Sequence, residues 1–266
     1  MSFKHIVSRD NPVFKYQKKL AENARERRAE GKTLLDGVHL IESYCAAFGD
    51  PELIIIPEGK STLEATQLMQ HLQHISTIML PTLMFAELTP VASSTGILAV
   101  ITIPKSWPQN APPTEINFAL MLEDIQDPGN LGSMLRTALG AGVEAVYLSK
   151  GCTDAWSPKA LRGGQGAQFY VPIIEGVDIV SALQNFAGNT YAMTMQGKSL
   201  YAQDYTRPSA FVIGNEGAGL SDKVLKVASH QISIPMNKNL ESLNAAAAAA
   251  VCLFERARQV FKVKGL

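Results

Sequence analysis

Five short runs in the second half of this chain are almost continuously apolar. They are FALMLED (118–124), EAVYLS (144–149), TYAMT (190–194), AFVIG (210–214) and QISIP (231–235). A strand with one wet face alternates apolar and polar residues. Strands covered on both faces do not, and such coverage is typical of parallel sheets flanked by helices. The intervening stretches are long enough for the crossovers that parallel strands need. The runs therefore predict an α/β domain with an open parallel sheet, whose chemistry lies beyond the carboxyl ends of the strands.

The first half repeats the helix–strand alternation more weakly, through LLDGVHLIESYCAAFG, ELIIIP, ISTIML and GILAVITIP. Between the halves, IPKSWPQNAPPTE (103–115) sets four prolines within ten residues. Proline removes amide donors and restricts its neighbours, so this segment reads as an extended linker. The expected organisation is a smaller α/β domain over 1–103, a linker over 104–114 and a larger domain over 115–266. With 266 residues, 46% of them hydrophobic, the chain suffices for two cores.

Formal net charge is zero, so no overall field marks a polyanionic partner. Residues 1–32 depart from that balance, with nine Lys or Arg against four acids. Asn11-Pro12 reads as a cap and first residue of a basic helix reaching about Glu30. The three cysteines, Cys45, Cys152 and Cys252, are distant from one another and form no CxxC. That pattern implies neither a disulfide framework nor a zinc site and fits a reducing, cytoplasmic setting. The longest apolar run, Ala245 to Phe254, is about half the roughly 20 residues a membrane span needs.

Three strand ends are loaded with polar and glycine residues. After the first comes LEDIQDPGNLGSMLRTALGAG (122–142), where Asp127-Pro128-Gly129-Asn130 is turn chemistry and Gly129 or Asn130 is expected to cap a helix starting near Leu131. Arg136 follows within that otherwise apolar helix, where an arbitrary arginine would simply reach water. VIGNEGAGLS (212–221) has the wrong glycine spacing for a dinucleotide fingerprint, and its glutamate would repel a pyrophosphate. ISIPMNKNLESLN (232–244) then puts hydrogen-bonding residues directly before six alanines.

Taken together, DPGNLGSMLRTA, IGNEGAGLS and IPMNKNLESLNAAAA resemble, in order, the three motifs of the SpoU/TrmH family of RNA ribose 2'-O-methyltransferases. The match runs through nearly all of residues 118–255. A looser one in HLIES and STGILAVI likens the first domain to that family's RNA-binding module, with Asp36-Gly37 in place of the usual Glu-Gly. LRGGQGA (161–167) departs from the family's Arg-x-Ser-x-Gly-Ala, and Gly163-Gly164 predicts a more flexible loop.

The resemblance implies a trefoil-knotted methyltransferase domain, a fold that general topology rules would not suggest. It implies S-adenosyl-L-methionine as methyl donor, held near Gly214, Gly219, Ile234, Met236 and Leu243, with no metal. Arg136, Asn130, Glu216, Ser242 and Asn244 carry catalysis by the same resemblance, and the alanine-rich helix packs into a homodimer. Large-subunit (23S) ribosomal RNA is the expected partner, and transfer RNA the alternative. An arginine stays protonated, so Arg136 suits a phosphate clamp that stabilises developing alkoxide charge better than it suits a base. Phosphate contacts are expected from Arg25, Arg27 and Arg28 in the basic opening segment. A non-catalytic RNA-binding protein with the same fold, or a nucleotide-dependent enzyme, is the competing reading.

Overall fold

The computed structural model describes residues 3–59, 61–89, 96–105, 115–237, 239 and 241–264. The chain divides into two compact units: Met1–Pro108 with Asp154–Phe169, and Gln109–Thr153 with Tyr170–Leu266. Most of the proline-rich segment, 106–114, and the ASST stretch at 92–95 lie outside the described residues.

The first unit runs β1 (Lys4–His5), α1 (Pro12–Glu22), α2 (Ala24–Glu30), β2 (Lys32–Asp36), α3 (Val38–Phe48), β3 (Leu53–Pro57), α4 (Leu63–His71), β4 (Thr77–Leu80), α5 (Thr82–Ala86) and β5 (Leu98–Thr102). Its sheet has the order β1-β4-β3-β5-β2, with β5 antiparallel to both neighbours and the other pairs parallel. Asn11 caps α1 by accepting the Val13 amide at 2.9 Å, with Pro12 at the first helical position. The basic helix expected to reach Glu30 is broken at Asn23. That side chain accepts the amides of Arg25 and Glu26 and starts α2, while its own N–H closes α1 on Lys19. Phe14, Leu34, Ile55, Ile78 and Leu98 meet in the core of this unit.

The second unit begins β6 (Phe118–Leu122), α6 (Pro128–Ala141), β7 (Ala145–Ser149). Residues 154–169 then group with the first unit and carry α7 (Pro158–Gly164). The chain continues β8 (Ile173–Val177), α8 (Ile179–Asn185), β9 (Asn189–Ser199), β10 (Ser209–Ile213), α9 (Asp222–Val227), β11 (His230–Ser233) and α10 (Ala245–Lys264). Its sheet has the order β11-β9-β10-β6-β7-β8, and every pairing is parallel. All residues of β6 and β10 are buried, as their unbroken apolar runs require. The edge strand β8 has no such run and is an addition to the five read from the sequence.

Three further expectations change here. Residues 154–169 are expected in the second domain, but their side chains are held inside the first unit. Asp154 pairs with Arg27 at 2.7 Å, Thr33 Oγ1 donates to the Trp156 carbonyl at 2.7 Å, and Arg162 reaches Asp36 at 3.1 Å. Phe169 packs edge-on against Tyr44 and Phe48. Arg27 is therefore not a phosphate-binding arginine. Only 4% exposed, it also donates to the carbonyls of Leu20 and Ala21. Arg25 and Arg28 are exposed. Gly164 is buried at the end of α7, where a β-carbon would fall 2.3 Å from the Gln168 amide. Close packing accounts for that glycine, not the flexibility expected of it.

Candidate active site

β6 and β10 lie side by side with Leu122 opposite Ile213, so their two loops leave the sheet together. Glu123, next along β6, accepts the Ser221 amide at 2.8 Å and the Ser221 hydroxyl at 2.7 Å. The second loop is thus fastened at its far end to the first. Ser221 in turn caps α9 by accepting the Val224 amide.

Helix α6 is capped by Asp127, not by Gly129 or Asn130. The Asp127 carboxylate accepts the Asn130 amide at 2.8 Å, and Pro128 takes the first helical position. This frees the Asn130 side chain to link the three loops. Its Nδ2 donates to Glu216 Oε1 at 3.1 Å, and its Oδ1 accepts from Asn244 Nδ2 at 2.9 Å. Asn244 is itself the cap of α10, accepting the amides of Ala246 and Ala247. A polar residue at the head of an alanine-rich helix thus satisfies the helix end and ties it to the other loops.

Glu216 receives two more donors, the amides of Gln126 at 3.3 Å and Asp127 at 3.4 Å. Partial burial pushes its carboxyl pKa up. Hydrogen bonds, first from Asn130 and then from backbone amides, outweigh that and hold it below the usual glutamate value. Glu216 is an ionised acceptor that organises the loops.

In the second loop, Asn215 Oδ1 accepts the amides of Gly217 and Ala218, and Gly219 turns through φ +71°. Gly214 packs so closely on this turn that a β-carbon would fall 2.4 Å from the Gly219 backbone. Beside the turn opens a cleft of about 450 Å³. Gly214, Gly219, Ile234, Met236 and Leu243 all line it, joined by Glu216 and Ser242. Its volume suits a nucleoside-sized ligand.

Arg136 is not among the lining residues. It is exposed on α6, six residues beyond Asn130, and makes no hydrogen bond or ion pair with the described residues. Met193, Thr194 and Met195 on β9 do line the cleft, as does Glu241. The β9 residues escape a sequence reading because Met193 and Thr194 belong to the apolar run TYAMT itself, and the MQGKS that follows is not part of the three motifs. Cys152 is half-buried against Ser149 and the Leu122 carbonyl, and burial pushes its thiol pKa up, which disfavours a nucleophilic thiolate. Among the described residues no three His, Cys, Asp or Glu are grouped to hold a metal ion, and no helix is long and apolar enough to cross a membrane.

A parallel sheet with three interlocked loops at its carboxyl edge defines a class of α/β ligand-binding domains, and comparison with known proteins narrows it. Residues 117–254 match the SpoU rRNA methylase family model, and the chain belongs to that family. It is 33% identical over 261 residues to an uncharacterized tRNA/rRNA methyltransferase of Synechocystis, covering 96% of this chain and 93% of that one. The 23S rRNA (guanosine(2553)-2'-O)-methyltransferase RlmP of Bacillus subtilis is 31% identical, with 94% of this chain and 98% of that one covered. Among solved structures, the SpoU methyltransferase AviRb of Streptomyces viridochromogenes in complex with AdoMet superposes with a TM-score of 0.78 at 25% identity, over 94% of this chain and 98% of that chain.

Proposed function

We propose that this protein transfers a methyl group from S-adenosylmethionine to a ribose 2'-hydroxyl of RNA, with large-subunit ribosomal RNA as substrate. The observation that carries the reading is the Glu216–Asn130–Asn244 chain of hydrogen bonds joining three strand-end loops around the cleft. The relatives named as ribosomal RNA 2'-O-methyltransferases and the AdoMet complex of AviRb support the substrate and the donor. Gly214 supplies the fit. Without a side chain it lets the 214–220 turn fold tightly onto the end of β10 and form one wall of the cleft, which is lined mainly by apolar groups.

When bound, S-adenosylmethionine supplies an electrophilic methyl group on a sulfonium. The remaining work belongs to this chain. Backbone groups near Gly214, Ile234 and Leu243, with Gly219 and Met236, hold and orient the donor, and Ser242 faces it. Asn130, Glu216 and Asn244 keep the loops in one geometry, so alignment is set before RNA arrives. Such alignment is worth effective molarities of about 10⁵–10⁸ M in well-oriented systems. Arg136 grips the phosphate next to the attacking ribose and stabilises charge developing on its oxygen.

The chain threads its carboxyl-terminal segment into a knot and pairs with a second copy in this reading. The partner covers an apolar surface formed by Leu139 of α6 with Ala247, Phe254 and Phe261 of α10, all exposed here. The free Arg136 then serves a site completed across the pair. Methyl transfer to ribosomal RNA, with the product linkage resisting alkaline cleavage, is the expected assay result. Methyl groups recovered only on bases would contradict it.

A further inference from the structure

Asn215 stands next to Glu216 in the second loop and lines the cleft, yet its side chain is engaged inside the protein. Oδ1 accepts the amides of Gly217 and Ala218, each at 2.9 Å, in the turn that an asparagine forms with its own backbone. The Asn215 carbonyl accepts the Gly219 amide at 2.9 Å and closes the same turn from the main chain. With Oδ1 so occupied, the side-chain amide can face only one way. Its Nδ2 donates to the Asp124 carbonyl at 2.8 Å. One side chain is thus acceptor for the second loop and donor to the first.

The residue that it holds is in an uncommon conformation. Asp124 has φ +55°, and among the described residues of the second unit no other non-glycine has a positive φ. Such a backbone persists only where its surroundings over-determine it, and cases of this kind cluster at active sites. Two neighbours supply the hold. Ser149, at the end of β7, accepts the Asp124 amide at 2.9 Å and donates to its carboxylate at 2.6 Å. Asn215 secures the carbonyl, whose other contact is a long one of 3.4 Å from Gln126 Nε2. Beyond Asp124 the chain turns into Gln126 and Asp127, whose amides meet Glu216. Adjacent residues of the second loop therefore grip the first at two points. Asn215 takes the carbonyl before the turn, and Glu216 takes the two amides after it and goes on to Asn130.

We infer that Asn215 is a positioning residue for methyl transfer. By holding Asp124 in its positive-φ conformation, it lets the 124–127 loop deliver two amides to Glu216 and so keeps Asn130 aligned. The inference rests on the methyl-transfer reading given above. Asn215→Ser keeps a hydroxyl that can accept amides of its own turn but is too short to reach Asp124. Asn215→Asp can still accept both amides, and it sets a carboxylate against the Asp124 carbonyl, where two acceptors repel. Both variants keep the turn that walls the cleft and lose its link to the first loop. Calorimetric titration with S-adenosylhomocysteine should therefore find an affinity close to that of the wild type. The single-turnover rate of methyl transfer, at saturating donor and RNA, should fall about tenfold or more, as a small misplacement of reacting groups requires. The aspartate variant should be the slower of the two. A role confined to stability would lower the melting temperature and leave the rate of the folded enzyme unchanged. Wild-type rates in both variants, or a loss carried by donor affinity instead of rate, would overturn the assignment. A wild-type protein that transferred no methyl group to RNA would instead remove the methyl-transfer reading, and this inference with it.

Discussion

Gly214 and Asn130 show two different ways in which single residues are constrained by this site. At Gly214 the constraint is steric. The atoms 2.4–2.5 Å from where its β-carbon would sit belong to the backbone of Gly219 and Leu220, which cannot swing aside as a side chain would. Gly214→Ala should therefore displace the 214–220 turn and abolish S-adenosylmethionine binding in calorimetry; undiminished affinity would remove this loop from the site. At Asn130 the constraint is chemical, since one amide must donate to Glu216 and accept from Asn244 at once. Both residues are legible in the sequence because they stand in short motifs at strand ends. Arg27 is not. Its partner Asp154 lies 127 positions away, and nothing local distinguishes it from the exposed Arg25 and Arg28. The cap of α6 falls two or three positions from where the sequence suggests, because Asp127, Gly129 and Asn130 are all acceptable caps and only the fold selects one.

At the scale of elements, strands buried on both faces announce themselves and the others do not. β6 and β10 are continuous apolar runs, whereas β8 reads IIEGV with one fully buried residue and a glycine at φ +72°. α10 is legible as a helix, and its exposed positions carry a further consequence. Ala247, Phe254 and Phe261 recur every seven residues, which keeps them on one face. Gly140 of α6 lies under the Phe254 ring, 3.7 Å from where a β-carbon would be. If this face meets a second copy, the wild type should sediment as a dimer at micromolar concentration. Phe254→Asp should then be a folded monomer with little transferase activity, since a charge placed in an apolar interface must be desolvated. A fully active wild-type monomer would contradict the pairing.

For the whole molecule, the chain passes between its two compact units three times, after residues 108, 153 and 169. Only the first passage is visible in the sequence, because prolines mark it. The other two bracket a segment whose membership is decided by distant partners: Arg27, Thr33, Asp36 and Tyr44. The opening arginines accordingly divide by role. Replacing Arg25 and Arg28 by alanine should weaken RNA binding and reduce its salt slope by about 0.7–0.9 for each phosphate no longer neutralised. Arg27→Ala should instead lower stability by about 3–5 kcal/mol, because it strands a buried Asp154 carboxylate. A salt slope unchanged in the Arg25 and Arg28 double variant would move the RNA to another surface.

The proposed chemistry is a methyl group delivered to a ribose oxygen, and one substrate isolates that oxygen. An RNA carrying a single 2'-deoxy nucleotide at the mapped position keeps its base, its phosphates and nearly all of its shape, and loses only the nucleophile. With the wild-type protein and labelled S-adenosylmethionine, this RNA should bind with near-normal affinity and take up no label, while the all-ribose RNA is methylated at the same position. Label transferred to the deoxy RNA at the wild-type rate would contradict the ribose assignment directly.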